Sequence, residues 1–252
     1  MEPPKLLSFG EIFVKVVRAE KCVGCSACVA ICPVGCLEYV EGKPKLVEKC
    51  RNCGICVIVC PQYEYTFPAL EESVFGRQSK PEEEFGVYRS IIIAQANNEN
   101  ILQRCQDGGV VTALLTHALE RGIIDGAAVS GVSQDKPFYP VPRLVTTSKE
   151  VLECAGTRYT YSPNLLAFHE GISQDKKRLA FVGTPCQIHA LRKIEKLLLE
   201  YVNPLRLAIG LLCTESFTYE GLMEKHIQGV LGINLNDIKK INIKANVLVT
   251  TK

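Results

Sequence analysis

Two unlike units in tandem are predicted by the sequence: a short α+β unit organised around cysteines, then an α/β unit with a mostly parallel sheet. Three observations carry this. A cysteine run, "CVGCSACVAICP" at 22–33, returns 28 positions later as "CRNCGICVIVCP" at 50–61. From residue 88, aliphatic runs short enough for strands alternate with segments of helical periodicity, the pattern of a layered α/β sheet. Between the two, residues 66–87 hold two prolines, an acidic run and no sustained period, as a linker does.

The cysteine runs come first. Eight of the thirteen cysteines fall in two copies of C-x2-C-x2-C-x3-C-P. Cysteines this close on one tight loop are badly placed to bridge one another, and "MEPPKLLSFGEIF" carries no secretory signal. The competing reading is a pair of zinc knuckles, since paired C-x2-C spacings also bind zinc. The full run is the spacing of bacterial two-cluster 4Fe–4S ferredoxins, in which the fourth cysteine of each run ligates the other cluster. That rule assigns Cys22, Cys25, Cys28 and Cys60 to one cluster, and Cys50, Cys53, Cys56 and Cys32 to the second. Pro33 and Pro61 turn the chain after each crossing ligand. Cys36 reads as a spare ligand or as packing near a cluster. The first unit, 1–65, is thus expected to be an α+β ferredoxin-like domain with two 4Fe–4S clusters.

Composition narrows the setting. Hydrophobic residues make up 47% and charged residues 22%, ordinary for a globular chain. No apolar run approaches the ~18 residues of a membrane-spanning helix. The net charge of +2 and the lack of arginine-rich tracts give no warrant for nucleic acid. Cluster thiolates without a disulfide pattern point to the reducing cytoplasm of an anaerobe, with any membrane association made through partner subunits.

The linker's aromatic residues, Tyr65, Phe67 and Phe75 among them, are expected to lie over the next domain, and "EEE" at 82–84 reads as a solvated surface. The α/β unit, 88–252, then opens with "SIIIAQA" as a buried strand. "VVTALLTHALERG" reads as a helix stopped at Gly122. "IDGAAVSGV" and "PRLVTT" read as strands, and "SKEVLECAG" as a helix capped by Ser148. "RLAFVG" leads through "TPC" into the helix "QIHALRKIEKLLLE". "LRLAIGLLC" leads through "TES" into "YEGLMEKHIQGV".

In such sheets ligands sit beyond the carboxyl ends of the strands, and three loops fall there. "QDGG" at 106–109 places two glycines before a helix, where free N–H groups can close on an anion; it is also simply a turn. "GTPC" at 183–186 and "CTES" at 213–216 each set a cysteine at a strand end beside a helix start. Each reads as a ligand or as a small core residue. Cys105 and Cys154 read as buried neutral thiols. No G-x-G-x-x-G follows a strand, so a nicotinamide site has no support; the P-loop and G-x-S-x-G frames are absent too.

Taken in order, "QDGGVVTALLTHALERGIIDGA", "AGTRYTYSPNL", "FVGTPCQIHALRK" and "IGLLCTESFTYEG" resemble the family of coenzyme F420 hydrogenase/dehydrogenase beta subunits. The double ferredoxin motif in front looks more like the FAD-containing input subunit of F420H2 dehydrogenases. The resemblance implies an α/β flavoprotein domain over 88–252, with FAD as cofactor and coenzyme F420 as substrate. It implies a subunit of a larger redox complex, of the kind found in methanogenic archaea. FAD would exchange a hydride with the deazaflavin and pass single electrons to the clusters, since a flavin does both. By the same match, Gln106, Asp107, Gly108, Gly109, Gly156, Thr157, Arg158, Tyr159 and Ser162, with Gly183, Thr184 and Pro185, line the flavin and its pyrophosphate. Arg158 is expected on a phosphate or on the anionic tail of the deazaflavin; its bland reading is a surface arginine.

One departure from the family is expected to matter. Its members continue with a further C-x2-C pair that joins Cys186 and Cys213 around a third cluster. This sequence stops at "INIKANVLVTTK", read as mid-strand and as truncated relative to the family. Either another subunit docks on that strand and donates the missing cysteine pair, or Cys186 and Cys213 stay thiols. The alternative to an enzyme is an iron–sulfur relay subunit that has lost flavin and F420 binding.

Overall fold

In the computed structural model of the chain the described residues are 7–64, 67–243 and 247–252. Helix α1 (Phe9–Ile12) starts at Ser8, whose Oγ accepts from Gly10 N at 3.2 Å. It runs on as a wider π-type turn, Phe13–Val17. Phe9, Ile12 and Val16 are buried and pack on the cysteine unit.

The two cysteine runs fold alike. In each, the third and fifth residues take left-handed backbone: Gly24 and Ser26 (φ 62° and 63°), then Asn52 and Gly54 (φ 56° and 75°). Glycine and asparagine tolerate that region best, and the reversal leads each run into one helical turn. These turns are α2 (Ala27–Ala30) and α3 (Ile55–Val59). Between them β1 (Leu37–Val40) pairs antiparallel with β2 (Lys43–Leu46). Glu41 and Gly42, at φ 48° and 82°, supply the two positive φ angles that a tight hairpin turn requires.

The expected linker is structured. Helix α4 (Phe67–Phe75) buries Leu70 and Glu71, and Phe67 meets His189 edge-on at 6.0 Å. Tyr65 lies outside the described residues. Glu83, expected in a solvated run, instead accepts from both terminal guanidinium nitrogens of Arg77 and from the N–H of Lys80. Those bonds hold its carboxyl down at about 2.

The strand expected at "SIIIAQA" does not form. Residues 90–98 are irregular and Ile93 is wholly exposed. Aliphatic composition favours a strand only where a neighbour accepts it, and the sheet is filled by later segments. Helix α5 (Glu99–Arg104) is capped by Asn98, whose Oδ1 accepts from Asn100 N. Helix α6 (Val110–Glu120) starts from Gly109 and stops before Gly122, which sits at φ 64°. Strands β3 (Gly126–Val132) and β4 (Pro140–Val145) follow, then α7 (Ser148–Glu153). The cap of α7 is Thr147 rather than Ser148: its hydroxyl accepts from Glu150 N, and Glu150 reaches back to Thr147 N. Helix α8 (Asn164–Ser173), which no sequence signal above announces, precedes β5 (Leu179–Gly183) and α9 (Pro185–Leu197). Strand β6 (Leu205–Gly210) and the wide π-type helix α10 (Glu220–Val230) come next. Last are β7 (Ile238–Ile243) and β8 (Val247–Thr251).

The central sheet has the order β4-β3-β5-β6, with β3, β5 and β6 parallel and β4 antiparallel at the edge. Its strands alternate as period two demands. Ala128, Leu179 and Phe181 face α8 and α9; Ala127, Val129, Ala180 and Val182 face α6 and α7. Ala27, Ala30, Ile31 and Val59 of the cysteine unit lie in the same buried cluster as Phe168, Leu191 and Ile194. The first unit therefore packs onto the α8–α9 layer and shares its core. The segment expected to end in mid-strand is paired: β7 and β8 form an antiparallel hairpin. Ile238 and Ile241 of β7 pack with Leu222, Met223 and Ile227 of α10.

Candidate functional site

Two small cavities gather the eight cysteines of the runs. One small cavity is walled by Cys22, Cys25, Cys28 and Cys60, with Ile12 and Val16 behind them. A second is walled by Cys50, Cys53, Cys56 and Cys32, with Cys36 beside them. Each quartet takes three thiols from one run and the fourth from the other. The thiols stand around these cavities; among the described residues no three side chains close on a single-ion site. A cubane takes four thiolates, one at each corner, and a quartet of cysteines walls each cavity.

Burial dominates the protonation of most of these thiols. Burial pushes the Cys25, Cys28 and Cys60 thiols up, and takes Cys56 and Cys36 to about 12. Such thiols become thiolates only when a metal centre displaces the proton. Cys32 differs. Burial raises it too, but the N–H groups of Val34, Cys36 and Gly35 and the Cys36 thiol outweigh that and lower it. The two sulfurs, Cys32 and Cys36, are 3.4 Å apart.

At the carboxyl ends of β3, β5 and β6 lies a cavity of about 590 Å³, within the range of small-molecule sites. "QDGG" forms one wall and Gly156, Thr157, Arg158 and Ser162 another; Gly183 and Thr184 close the floor. Two expected residues stand outside the wall. Tyr159 is turned away from it: its Oη accepts from Ile243 N at 3.0 Å, tying the loop to β7. Pro185 occupies the first turn of α9, where its missing N–H costs nothing. Gln106 and Lys240 fasten "QDGG" to the same hairpin through Ile241 O and Gln106 O.

Gly109 is needed for its backbone. It sits at φ 68°, and a Cβ there would lie 2.7 Å from Ile101 Cγ2. Arg158 is the cation of the cavity wall, which Asp107 and Glu215 also line. Its guanidinium donates to the carbonyls of Gly131, Cys154, Ala155 and Thr157, each at 3.4 Å. Among the described residues no carboxylate pairs with it, and burial lowers its pKa. A cation held by carbonyl dipoles on a cavity wall is prepared for an anion.

The large cavity reaches the cysteine unit. Val23 and Gly24 line both it and the Cys22/Cys25/Cys28/Cys60 cavity. Tyr39 Oη donates to Gly24 O at 3.0 Å, and the Tyr161 ring lies against Gly24 and Gly42. Cys186 and Cys213 also line the large cavity. Burial raises Cys186, and the Thr184 hydroxyl 3.1 Å away works against it. Sequence reasoning missed Tyr39, Tyr161, Ser130 and Asn164. Asn164 Nδ2 donates to Val182 O at 2.9 Å and Ser162 Oγ lies 2.7 Å from Ser130 Oγ, which fixes the loop before α8. Only the polar pair in "SPN" signalled this.

Paired ferredoxin-type cysteine runs thus pack on the α8–α9 layer of a mostly parallel sheet whose carboxyl edge holds a ligand-sized cavity, the build of an iron–sulfur protein with a second ligand site. Residues 15–38 and 47–65 each match a 4Fe-4S binding domain. Residues 91–169 and 176–252 match the N-terminal and C-terminal parts of the coenzyme F420 hydrogenase/dehydrogenase beta subunit; the chain belongs to this family. A component of the F(420)H(2) dehydrogenase of Methanosarcina mazei is 30% identical over 258 residues, covering 99% of this chain and 68% of that one. The coenzyme F420 hydrogenase subunit beta of Methanococcus voltae is 35% identical over 161 residues, covering 63% of this chain. The matched part is 57% of that protein's length. A chain of the F420-reducing NiFe hydrogenase complex from Methanosarcina barkeri superposes with a TM-score of 0.61 at 30% identity, covering 69% of this chain and 60% of its own.

Proposed function

We propose that this chain is the F420-linked subunit of a larger redox complex, in which residues 88–252 hold FAD beside coenzyme F420 and residues 1–65 relay electrons through two 4Fe–4S clusters. When bound, FAD would supply the exchange between hydride and single electrons that neither partner manages alone. The chain's own residues do the rest. Arg158 and the N–H groups of "QDGG" hold the pyrophosphate. Gly183 and Thr184 form the floor, and the buried walls at Leu115, Val129 and Val182 exclude water. Cys22, Cys25, Cys28 and Cys60 hold the cluster nearer the cavity, and Cys50, Cys53, Cys56 and Cys32 the farther one. Cys186 and Cys213, both on the cavity wall, would join a third cluster if two further thiolates meet them there.

The observation that carries this reading is the shared wall at Val23 and Gly24, which sets the ligand cavity directly against one cysteine quartet. An oxidoreductase needs that adjacency and a separate binding module does not. The test is a titration of anaerobically purified, FAD-supplied protein with F420H2, followed by visible absorbance. Bleaching of the flavin bands is expected. Protein that takes up clusters but no flavin would be the non-enzymatic relay instead.

A further inference from the structure

Lys193 belongs to α9, in the second unit, yet its ammonium reaches into the first. It donates to the carbonyl oxygen of Cys60 at 2.8 Å, and the residue is only 7% exposed. No ion pair forms with it among the described residues. The carboxylate of Glu64 acts on it only from beyond ion-pair distance. Burying an ammonium with one backbone carbonyl as partner is strongly unfavourable. A negative charge nearby offsets that cost, and the carbonyl it grips belongs to the crossing ligand of the nearer quartet. A 4Fe–4S centre held by four thiolates is net negative, and gains one more negative charge on reduction.

We propose that Lys193 is the fixed counter-charge of the cluster at Cys22, Cys25, Cys28 and Cys60, and that it raises that cluster's reduction potential. The step is one electron in and no bond broken: the donor is oxidised, the cluster is reduced, and the ammonium stabilises the added charge. Among the described residues the farther quartet has no buried cation of this kind. Its neighbouring cation, Arg51, is exposed and screened by solvent. The two clusters, alike in ligand pattern, are thereby made unequal, with the one beside the ligand cavity the better acceptor. The inference rests on the cluster reading above.

The test uses the full chain, purified without oxygen, with Lys193→Met and Lys193→Gln as variants. Lys193→Gln keeps a hydrogen-bond donor for Cys60 O and removes only the charge. Iron and acid-labile sulfide are counted, and both cluster midpoints are read by electron paramagnetic resonance during a dithionite titration. Cys60→Ser identifies which signal belongs to the nearer cluster. The expected result is a shift of that midpoint to lower potential in both variants, with the other midpoint unmoved and iron content unchanged. If Lys193→Met loses iron, Lys193→Gln decides. Unmoved midpoints with iron retained, or an equal shift of both, overturn the proposal. Wild-type protein without acid-labile sulfide overturns the cluster reading beneath it.

Discussion

Gly109 shows how much rests on single backbone angles. At φ 68° with Ile101 Cγ2 at 2.7 Å from any added Cβ, Gly109→Ala is expected to cost about 1–3 kcal/mol. Chemical denaturation of the cluster-loaded chain measures it, and flavin retention should fall as the "QDGG" loop shifts. By sequence this glycine stands out for close approach to an anion. The structure makes the reason steric, because the clash is with α5 rather than with the cavity, and no spacing rule reveals which helix lies behind a loop. Arg158 is the complementary case. Its geometric suitability for phosphate was legible, but that no carboxylate among the described residues pairs with it is a fact of three-dimensional packing. Arg158→Gln is expected to weaken FAD binding by about tenfold or more, the size of a lost charge-assisted bond, read by flavin fluorescence titration.

At the scale of elements, Asp125 clamps the entry of β3 to the segment before β5. Its carboxylate accepts from Lys177 N and Arg178 N, both at 3.0 Å. Burial alone would raise its pKa, but those N–H groups outweigh it and hold it below the ordinary carboxylate range. A depressed folded pKa means stability that is present above the unfolded value of ~3.9 and lost as pH falls through the folded value. Asp125→Ala is therefore expected to destabilise the chain by about 1.5–3 kcal/mol at neutral pH, with the difference from wild type shrinking below about pH 4. Urea denaturation of both proteins across that range checks the sign. Elements with pairing partners or strong caps, such as β5 followed by Pro185 in α9, were readable from sequence. "SIIIAQA" was not, because its isoleucines satisfy strand propensity while no strand is free to receive them. Helix α8 had its signal in the spacing of Leu165, Phe168 and Ile172, which lies on one helical face; a run beginning "SPN" reads first as a turn.

Across the whole molecule, the order of parts follows from packing. Helices α2 and α3 of the cysteine unit lie on α8 and α9, so the quartet closed by Cys60 faces the ligand cavity and the quartet closed by Cys32 faces outward, with Cys53 exposed. The grouping of the cysteines into two crossed quartets was legible in the sequence, because the spacing of each run predicts it. That the Cys60 quartet is the one beside the ligand cavity was not, because it depends on how two units dock. The most direct test of this order is electron paramagnetic resonance of the FAD-loaded full chain, mixed without oxygen with F420H2, beside its Cys60→Ser variant. Wild type is expected to show reduced-cluster signals, while the variant reduces its flavin but leaves the farther cluster oxidised. Equal reduction of the farther cluster in both proteins would contradict the account, since electrons would then reach it without passing the quartet that Cys60 completes.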